Sequence, residues 1–538
     1  MKKECSLYEN FLLSVEKNPN SNCLSFFGKN FKRSHVLEKI NEVSYSLREL
    51  GVKKDDVVTI CLPNLPETIY SLYALNQIGA IANLVHPLMN HNELVSNMEK
   101  VHSKLLIALD VKPDAYLDFN ERDIKLILAS CKDEMPFIFK KVYDRQYKDK
   151  LEKLKNIEYI HFDTLFNKGT CEEYDRDYKK DSLYLHSGGT TSEPKTIALS
   201  SYAMNALAYN AYEIVNIKEK DFEHFSMLTV LPIFHGFGLC MGVHTILVAG
   251  GNLNLMVKFD PKKVTSLVRH NKVNCIIGVP IMFYRLLKEK KFKSKKLKNL
   301  KSAFIGGDFV ASSLIKNFNK RMEENGSSCR LYEGYGLTET VTVATVNTTK
   351  YNRDKSIGKP LSNVIVKIYK LDKDNNLIEC KPNEEGEIFL AGETLMNGYR
   401  FEKTVLDPYY YDTDGTKYIR TGDIGYLDED GFLFFKQRIK RLAKINGVPI
   451  YPSEIENYVM ELEGVKEVAV NVEEDEKHGH ILSLHIAFYE NAKKISKDDL
   501  KKYIQDKFGV YAMIKKIFYY DDLPKTTVMK IDYKNLRK

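Results

Sequence analysis

Leu185 to Ile197 reads LHSGGTTSEPKTI, a short loop rich in hydroxyls and glycine that ends in a lysine. Backbone amides, the hydroxyls of Ser187, Thr190 and Thr191 and the Lys195 ammonium are all groups that bind phosphate oxygens, so the string can cradle a polyphosphate. It is not a Walker loop: the GxxxxGK[ST] spacing is absent and Pro194 precedes Lys195. On residue types alone a polar surface turn fits the string equally well. The nine cysteines include no CxxC pair and no Cys/His ligand cluster, and their scatter gives no disulfide framework, which suits a reducing compartment.

The elements that must position such a loop belong to a long chain. At 538 residues it divides into roughly two to four structural units. With 43% hydrophobic and 28% charged residues it has the balance of a soluble globular protein. The net charge of +8 is a small difference between 80 basic and 72 acidic side chains, so nucleic acid is not expected as a partner. The lysine run Lys288 to Lys298 reads as a solvated face. Met1 to Asn10 mixes Lys2, Lys3, Glu4 and Glu9 and holds no signal-peptide core, so cytoplasmic residence is expected. Met227 to Val257 carries no acidic or basic residue and is long enough to span a bilayer. Pro232, His235, Gly236, Gly238, His244, Gly250, Gly251, Asn252 and Asn254 interrupt it, which favours a buried strand, loop and helix over a transmembrane segment.

Strand-like Val57 to Leu62 precedes helix-like Glu67 to Gly79, and Cys275 to Val279 precedes Met282 to Lys288 in the same way. This alternation predicts an α/β architecture with largely parallel sheets. The texture changes near Gln437. After the basic stretch Arg438 to Lys444, the order of elements is a helix near Tyr451 to Glu456, strands at Val468 to Val472 and Ile481 to Tyr489, a helix from Ser496 to about Phe508, and apolar Ile514 to Tyr520. Ser453 is expected to cap the first of these helices, with Glu456 reaching back to it. The fold class is therefore α/β, with a large multi-sheet domain over 1–437, a small α+β domain over 438–538, and a hinge near Lys440.

The loop at 185–197 resembles the phosphate-binding signature of the adenylate-forming superfamily, which contains acyl-CoA synthetases, carrier-protein adenylation domains and luciferases. YEGYGLTE at Tyr332 to Glu339 is similar to that family's adenine and magnesium motif, and YIRTGDIGYLDED at Tyr418 to Asp430 to its ribose motif. Gln437 to Glu456 resembles its hinge and following helix, and PKTTVMKID at Pro524 to Asp532 its C-terminal catalytic segment. Gly51 to Leu94 fits its early region. The motifs fall in the family's order over most of the chain.

The resemblance implies that Ser187, Gly188, Gly189, Thr190, Thr191 and Lys195 hold the β- and γ-phosphates of ATP, and that Glu339 holds Mg2+, which prefers hard carboxylate oxygens. Thr338 bonds the phosphate at the reacting centre. Tyr335 stacks on adenine, within a motif that also assigns Glu333, Gly334 and Gly336 to the nucleotide. Asp423 accepts from the ribose hydroxyls, a task suited to an acceptor-only group, and Arg438 also reaches the ribose. Lys530 bridges the carboxylate and the α-phosphate as they approach. Lys440 is the hinge, and Lys444 and Gly447 lie on the face that serves the thiol step. Gly307 and Asp308, in the turn that begins at Gly306, contribute to the nucleotide and acid pocket, and His235 gates or polarises that pocket.

Amino-acid-activating relatives place an aspartate in the segment around Phe234. Here His235 and Gly236 stand there, which favours an aliphatic or aromatic acid without an ammonium group. The second substrate is coenzyme A, with a carrier-protein phosphopantetheine as the alternative acceptor. A nucleotide-binding module without catalysis and a P-loop NTPase are rival readings, opposed by Glu339, Asp423 and Lys530 and by the missing Walker spacing. Ser192, Thr196 and Met529 replace the family's usual glycines. A left-handed backbone at any of them would cost about 1 kcal/mol. Pro449 replaces a polar residue that some relatives use in the thioester step.

Overall fold

The β-branched run VVTIC makes Val57–Cys61 a buried strand, and Pro66 occupies the first turn of the helix Pro66–Ile78, whose fixed φ suits that place. The helix stops where Gly79 takes φ 85°, a left-handed conformation that glycine adopts without steric penalty. The computed structural model describes residues 1–187, 194–308, 310–402, 408–445, 448–475, 478–509, 512, 514–526 and 530–537, with the backbone alone at Lys444 and Pro449.

Among the described residues this strand and helix belong to an eight-stranded sheet. Its order is Gly398–Arg400, Thr196–Ser200, Asp181–His186, Ile81–Leu84, Val57–Cys61, Leu105–Leu109, Lys125–Ala129 and Ile160–His161. The strands from Asp181–His186 onward run parallel, and the first two pair antiparallel. A nine-stranded sheet has the order Lys359–Pro360, Thr345–Val346, Leu331–Tyr335, Ser302–Ile305, Cys275–Gly278, Ser226–Thr229, Asn252–Leu255, Asn22–Phe26 and Lys29–Lys32. It is parallel from Leu331–Tyr335 to Asn22–Phe26 and antiparallel at both edges. One hydrophobic core joins these two sheets to the inner face of a third.

The parallel expectation stops at the third sheet. Val364–Leu371, Gly386–Gly392, Lys417–Leu427 and Leu433–Arg438 pair antiparallel in sequence order, with Leu377–Glu379 and Tyr409–Tyr411 beside them. The apolar stretch 227–257 resolves into strand, loop and helix as expected. Ser226–Thr229 leads to a helical run with wide π-type turns over Phe237–Thr245, which continues as Ile246–Ala249 and returns as the strand Asn252–Leu255. Among the described residues no helix is long and apolar enough to cross a membrane. In the lysine run, Phe292 and Leu297 are buried while the lysines point to solvent. All nine cysteines are unpaired.

After Arg438 the chain builds a smaller unit with its own core. Helix Pro452–Met460 precedes Val465–Asp475 and Gly479–Phe488, which pair antiparallel. Helix Lys497–Phe508 then returns the chain to Ile514–Tyr520, which lies parallel to the middle strand. The second helix is capped by Ser496, whose Oγ accepts from the Asp499 amide. The first is not capped as the sequence suggests. Its cap is Tyr451, without a side-chain bond, and Pro452 at the first position has no N–H to satisfy. Ser453 Oγ instead donates to the Lys436 carbonyl at 2.6 Å, and Glu456 turns inward to take the Val470 amide at 2.7 Å and Arg441 Nη2 at 2.6 Å. A half-buried arginine beside a buried carboxylate needs that partner more than a helix end with a proline needs a cap.

Candidate active site

The antiparallel pairing of His186 with Thr196 brings the two ends of the 185–197 loop together. The Ser187 amide donates to the Lys195 carbonyl at 3.0 Å, and the Lys195 amide donates to Ser187 Oγ at 2.9 Å. Gly188, Gly189, Thr190, Thr191 and Ser192 lie outside the described residues. The Lys195 ammonium stands 4.3 Å from the centre of the Tyr399 ring, a cation–π contact. Thr196 is buried within a strand, outside the left-handed region, and its amide donates to Glu402 Oε1 at 3.0 Å. The conformational cost anticipated for a side chain here therefore does not arise.

Ser302–Ile305 and Leu331–Tyr335 run side by side and in parallel, so both release the chain at the same sheet edge, where open α/β sheets bind ligands. Gly307, at φ 78°, and Asp308 follow the first strand. Gly336 and the single turn Thr338–Thr340 follow the second. A Cβ on Gly336 would overlap the Thr342 carbonyl, so only glycine allows this close approach. Glu339 Oε1 accepts from the Tyr399 hydroxyl at 3.0 Å, and Oε2 has no partner among the described residues. Burial pushes the Glu333 carboxyl up to about 8, so this acid is neutral at pH 7 and adds no negative charge near a nucleotide.

Asp423 and Arg438 face each other across the antiparallel pair Lys417–Leu427 and Leu433–Arg438. Arg438 Nε lies 3.3 Å from Asp423 Oδ1, and the Tyr335 hydroxyl donates to Oδ2 at 2.6 Å. Asp423 is 1% exposed, and its Oδ1 accepts no hydrogen bond among the described residues. Burial raises its affinity for a proton and Arg438 opposes that shift. The carboxylate thus keeps an acceptor aimed at the cleft. Tyr335, assigned from sequence to adenine stacking, also fixes the carboxylate assigned to the ribose.

The two histidines of the 227–257 stretch have different environments. His244 is saturated, with Nδ1 2.9 Å from the Tyr73 hydroxyl and Nε2 2.9 Å from Asn205 Oδ1, and burial lowers it to about 3. His235 opens into the cleft, and its Nε2 has no hydrogen-bond partner among the described residues. Burial, reinforced by the charge of Lys530, lowers it to about 4, so it is a neutral imidazole at pH 7. A Cβ on Gly236 would overlap Thr342 Cγ2, so any side chain there, an aspartate included, requires Thr342 to move.

The smaller unit supplies Lys530. The Lys525–Ile531 bridge closes a turn in which the Thr526 amide donates to the Lys530 carbonyl at 2.8 Å and the Lys530 amide to Thr526 Oγ1 at 3.2 Å. The Lys530 side chain faces the cleft opposite Asp308, Asp423 and Arg438. Lys530 keeps an exposed surface, yet desolvation at the cleft lowers its pKa below the ordinary lysine value, with Asp308 opposing the shift. Met529, in the same turn, lies outside the described residues. Behind the turn, Glu456 joins Arg441 and the Tyr533 hydroxyl, with the Arg441 guanidinium 4.2 Å from the Tyr533 ring centre. Lys440 is exposed on the one-turn segment Ile439–Arg441 between the two units. Lys444 pairs by its backbone with Pro449, while its side chain and Gly447 lie outside the described part.

The resulting cleft has a volume of about 1940 Å³, more than a single small-molecule site requires, and is therefore large enough for two substrates. It brings together Lys195, His235, Asp308, Glu339, Asp423 and Lys530 from separate sequence motifs. Tyr399, Glu402 and Glu456 were not foreseen as partners. Tyr399 is 60 positions from Glu339 and Glu402 is 206 from Thr196, with no local pattern linking them.

A family model described as AMP-binding enzyme matches residues 11–400, and one described as AMP-binding enzyme C-terminal domain matches residues 454–530. A long-chain-fatty-acid–CoA ligase of Bacillus subtilis is 27% identical, covering 96% of this chain and 91% of its own. A 2-succinylbenzoate–CoA ligase of Listeria monocytogenes is 26% identical, covering 97% of each. The crystal structure of ATP-bound MatB from Rhodopseudomonas palustris shares the fold with a TM-score of 0.83 at 19% identity, covering 98% of this chain and 97% of that one.

Proposed function

The chain belongs to the family of AMP-binding enzymes and is an AMP-forming carboxylic acid–thiol ligase, and on that premise we propose a specific reaction and a role for each residue. The enzyme activates an aliphatic or aromatic acid that carries no ammonium group and transfers it to the thiol of coenzyme A. The observation that carries this reading is the meeting of Lys530 with the Asp423–Tyr335–Arg438 cluster in a cleft whose acid end holds a neutral histidine and no fixed carboxylate at position 236.

Asp423 and Arg438 hold the ribose, with Tyr335 orienting the carboxylate and presenting its ring to adenine. Ser187, Gly188, Gly189, Thr190, Thr191 and Lys195 hold the β- and γ-phosphates, and Gly307, Asp308, Gly334 and Gly336 shape the nucleotide's bed. An oxygen of the acid attacks the α-phosphorus while the bond to the β-phosphate oxygen breaks, so the negative charge of the carboxylate leaves with pyrophosphate. Lys530 lies between the two approaching anions, and its ammonium offsets their repulsion where it is greatest. Thr338 donates to the same phosphate.

Among the described residues no three His, Cys, Asp or Glu side chains gather as a metal site. That suits Mg2+, which binds one carboxylate together with substrate phosphates and waters, and Glu339 Oε2 is the available donor. The ion would neutralise charge on the departing pyrophosphate.

In the second step the thiol gives its proton to solvent, the thiolate sulfur bonds to the acyl carbon, the carbon–oxygen bond to AMP breaks, and AMP leaves as the anion. This step needs the space that Lys530 fills. A domain of 438–538, turning on Lys440 against a body of 1–437, removes Lys530 and brings the strand of Lys444 and the adjoining Gly447 to the thiol entrance. His235 lies beside the acid carbonyl as a neutral donor or acceptor.

The test is exchange of labelled pyrophosphate into ATP across a panel of carboxylic acids, followed by thioester formation with coenzyme A. Acid-dependent exchange that Lys530→Ala abolishes is the expected result. Absence of exchange with every acid would overturn the proposal, and exchange without thioester on coenzyme A would overturn its second half.

A further inference from the structure

Helix Phe137–Gln146 buries only Tyr143. Its outer face carries Phe137, Ile138 and Val142 at 69, 76 and 58% exposure, with Lys141 and Arg145 exposed between them. Single exposed apolar residues are ordinary, but adjacent ones on one helix face mark an interaction surface. The patch continues through Phe139, whose ring lies 5.4 Å from that of the half-exposed Phe27, and Lys263 stands 5.8 Å over Phe27. From Phe137 to Lys155 seven basic residues accompany three acidic ones. The inner side of the same segment lines the cleft through Tyr143 and Tyr147, beside the exposed Leu88 and Val257 at its rim. One helix therefore has the cleft's apolar end on one side and the patch on the other.

We propose that this face docks on an anionic lipid surface and that the acid, an amphiphile with an apolar tail, enters the cleft from that surface beside Tyr143 and Tyr147. A convex helix face with bulky apolar side chains set among lysine and arginine suits a plane that is negative at its surface and apolar beneath it. A second copy of the chain fits poorly. A two-fold contact through this face would bring the basic residues of both copies together. Docking stands independently of the reaction assigned above, whereas the nature of the acid rests on it.

The test uses the full chain and the variant F137E/I138E/V142E, whose substitutions lie on exposed positions outside the cleft. Both are pelleted with phosphatidylcholine vesicles and with vesicles that also contain phosphatidylglycerol. The wild type is expected to pellet with the anionic vesicles, at least about tenfold more than with neutral ones or at high salt, and the variant to lose that binding by a similar factor. Both are expected to exchange pyrophosphate equally with a short, water-soluble acid, and the variant to lag severalfold on a long-chain acid delivered in anionic vesicles. Wild-type protein that fails to pellet, or a variant that pellets equally well, overturns docking. A wild-type dimer in light scattering that the variant converts to monomer, without vesicle binding, assigns the face to a second copy and also overturns it. Equal turnover of vesicle-borne acid by both proteins overturns the entry route. Vesicle binding lost in the variant, with no exchange by either protein on any acid, leaves docking standing and refutes the assigned reaction.

Discussion

The cleft has one wall built into the sheets and another carried on a turn. Tyr335 and Asp423 leave strands held on both sides by backbone pairing; the Tyr335 hydroxyl bonds the Asp423 carboxylate, which also pairs with Arg438 at the end of the adjoining edge strand, where the smaller unit begins. Lys530 stands on a turn closed by an isolated bridge and the Thr526 bonds, in a unit with a separate core. On the proposed reaction, the groups assigned to nucleotide in both half-reactions lie on the first wall, and Lys530, assigned to one half-reaction, lies on the second. The contrast also extends to protonation, because the fixed body stores more suppressed histidines than the carried unit.

The largest difference between the two regions is expected in acid. His186, His235 and His244 in the body are lowered to about 4, 4 and 3, each chiefly by burial, and His485 in the smaller unit is lowered to about 4. A histidine with a depressed folded pKa leaves the unfolded chain to bind more protons, so stability is lost as pH falls from about 6.5 toward 4. Each such residue withdraws on the order of 3 kcal/mol over that range. Burial also raises Glu67, Asp133 and Glu333 of the body, the last two to about 6 and 8, and these carboxyls offset the loss as pH falls. The histidine effect is therefore read in Glu333→Gln: hydrogen exchange of that variant from pH 7 to pH 4 should show the body losing protection before residues 452–520. Loss of protection in the smaller unit first would refute the contrast.

The carried wall is broken selectively at Lys530. Lys530→Ala is expected to lower pyrophosphate exchange by about 10²- to 10³-fold while leaving ATP binding and the unfolding midpoint near wild type. Because the cleft lowers the Lys530 pKa, its charge is lost as pH rises through a value below that of an ordinary lysine, and exchange should fall on that alkaline limb. Lys530→Arg keeps the charge and should remove the limb, even with a lower maximum. Stability moves the other way. The unfolded chain holds the proton more tightly, so the strain of the charged lysine is relieved as pH rises.

The fixed wall responds through binding and folding together. Asp423→Ala removes the acceptor proposed for the ribose and leaves the Tyr335 hydroxyl without its carboxylate partner, a loss of about 1–3 kcal/mol of stability. Calorimetric titration should show weaker ATP binding, and thermal unfolding a lower midpoint. A variant impaired in exchange with neither change would place Asp423 outside the ribose site.

The parts of this arrangement that were legible in the sequence are those with a local signal. The VVTIC strand, the Gly79 stop and the Ser496 cap each follow from a few neighbouring residues. Motif order foretold that Asp423 and Lys530 would share a cleft, although hundreds of residues separate either from Lys195. The antiparallel sheet over 364–438 escaped the helix–strand alternation because its strands follow one another without helices. The misread cap at Ser453 shows why local rules fail. Ser453 and Glu456 have cap spacing, yet each is claimed by a group brought near by tertiary folding, Lys436 and Arg441. Tyr399 shows the same limit at the site itself, since nothing near it in sequence points to Glu339 or Lys195.

The smallest expected effect separates the acid end of the cleft from both walls. His235 has an Nε2 without a partner among the described residues and is neutral throughout the range from pH 5 to pH 8, because burial and the Lys530 charge hold it near 4. It can therefore influence the acid only as a dipole, through one hydrogen bond or through shape. His235→Gln keeps a polar tip of similar reach and should change KM for the acid by about tenfold or less, with ATP binding unchanged. The decisive measurement is that KM as a function of pH. A profile for the wild type that is flat between pH 5 and pH 8, and remains flat in the variant, agrees with a neutral imidazole. An inflection near pH 6.5 in the wild type that disappears in His235→Gln would mean that the histidine titrates in water, in contact with solvent rather than with the acid pocket, and the division between a fixed nucleotide wall and a desolvated acid end would have to be redrawn.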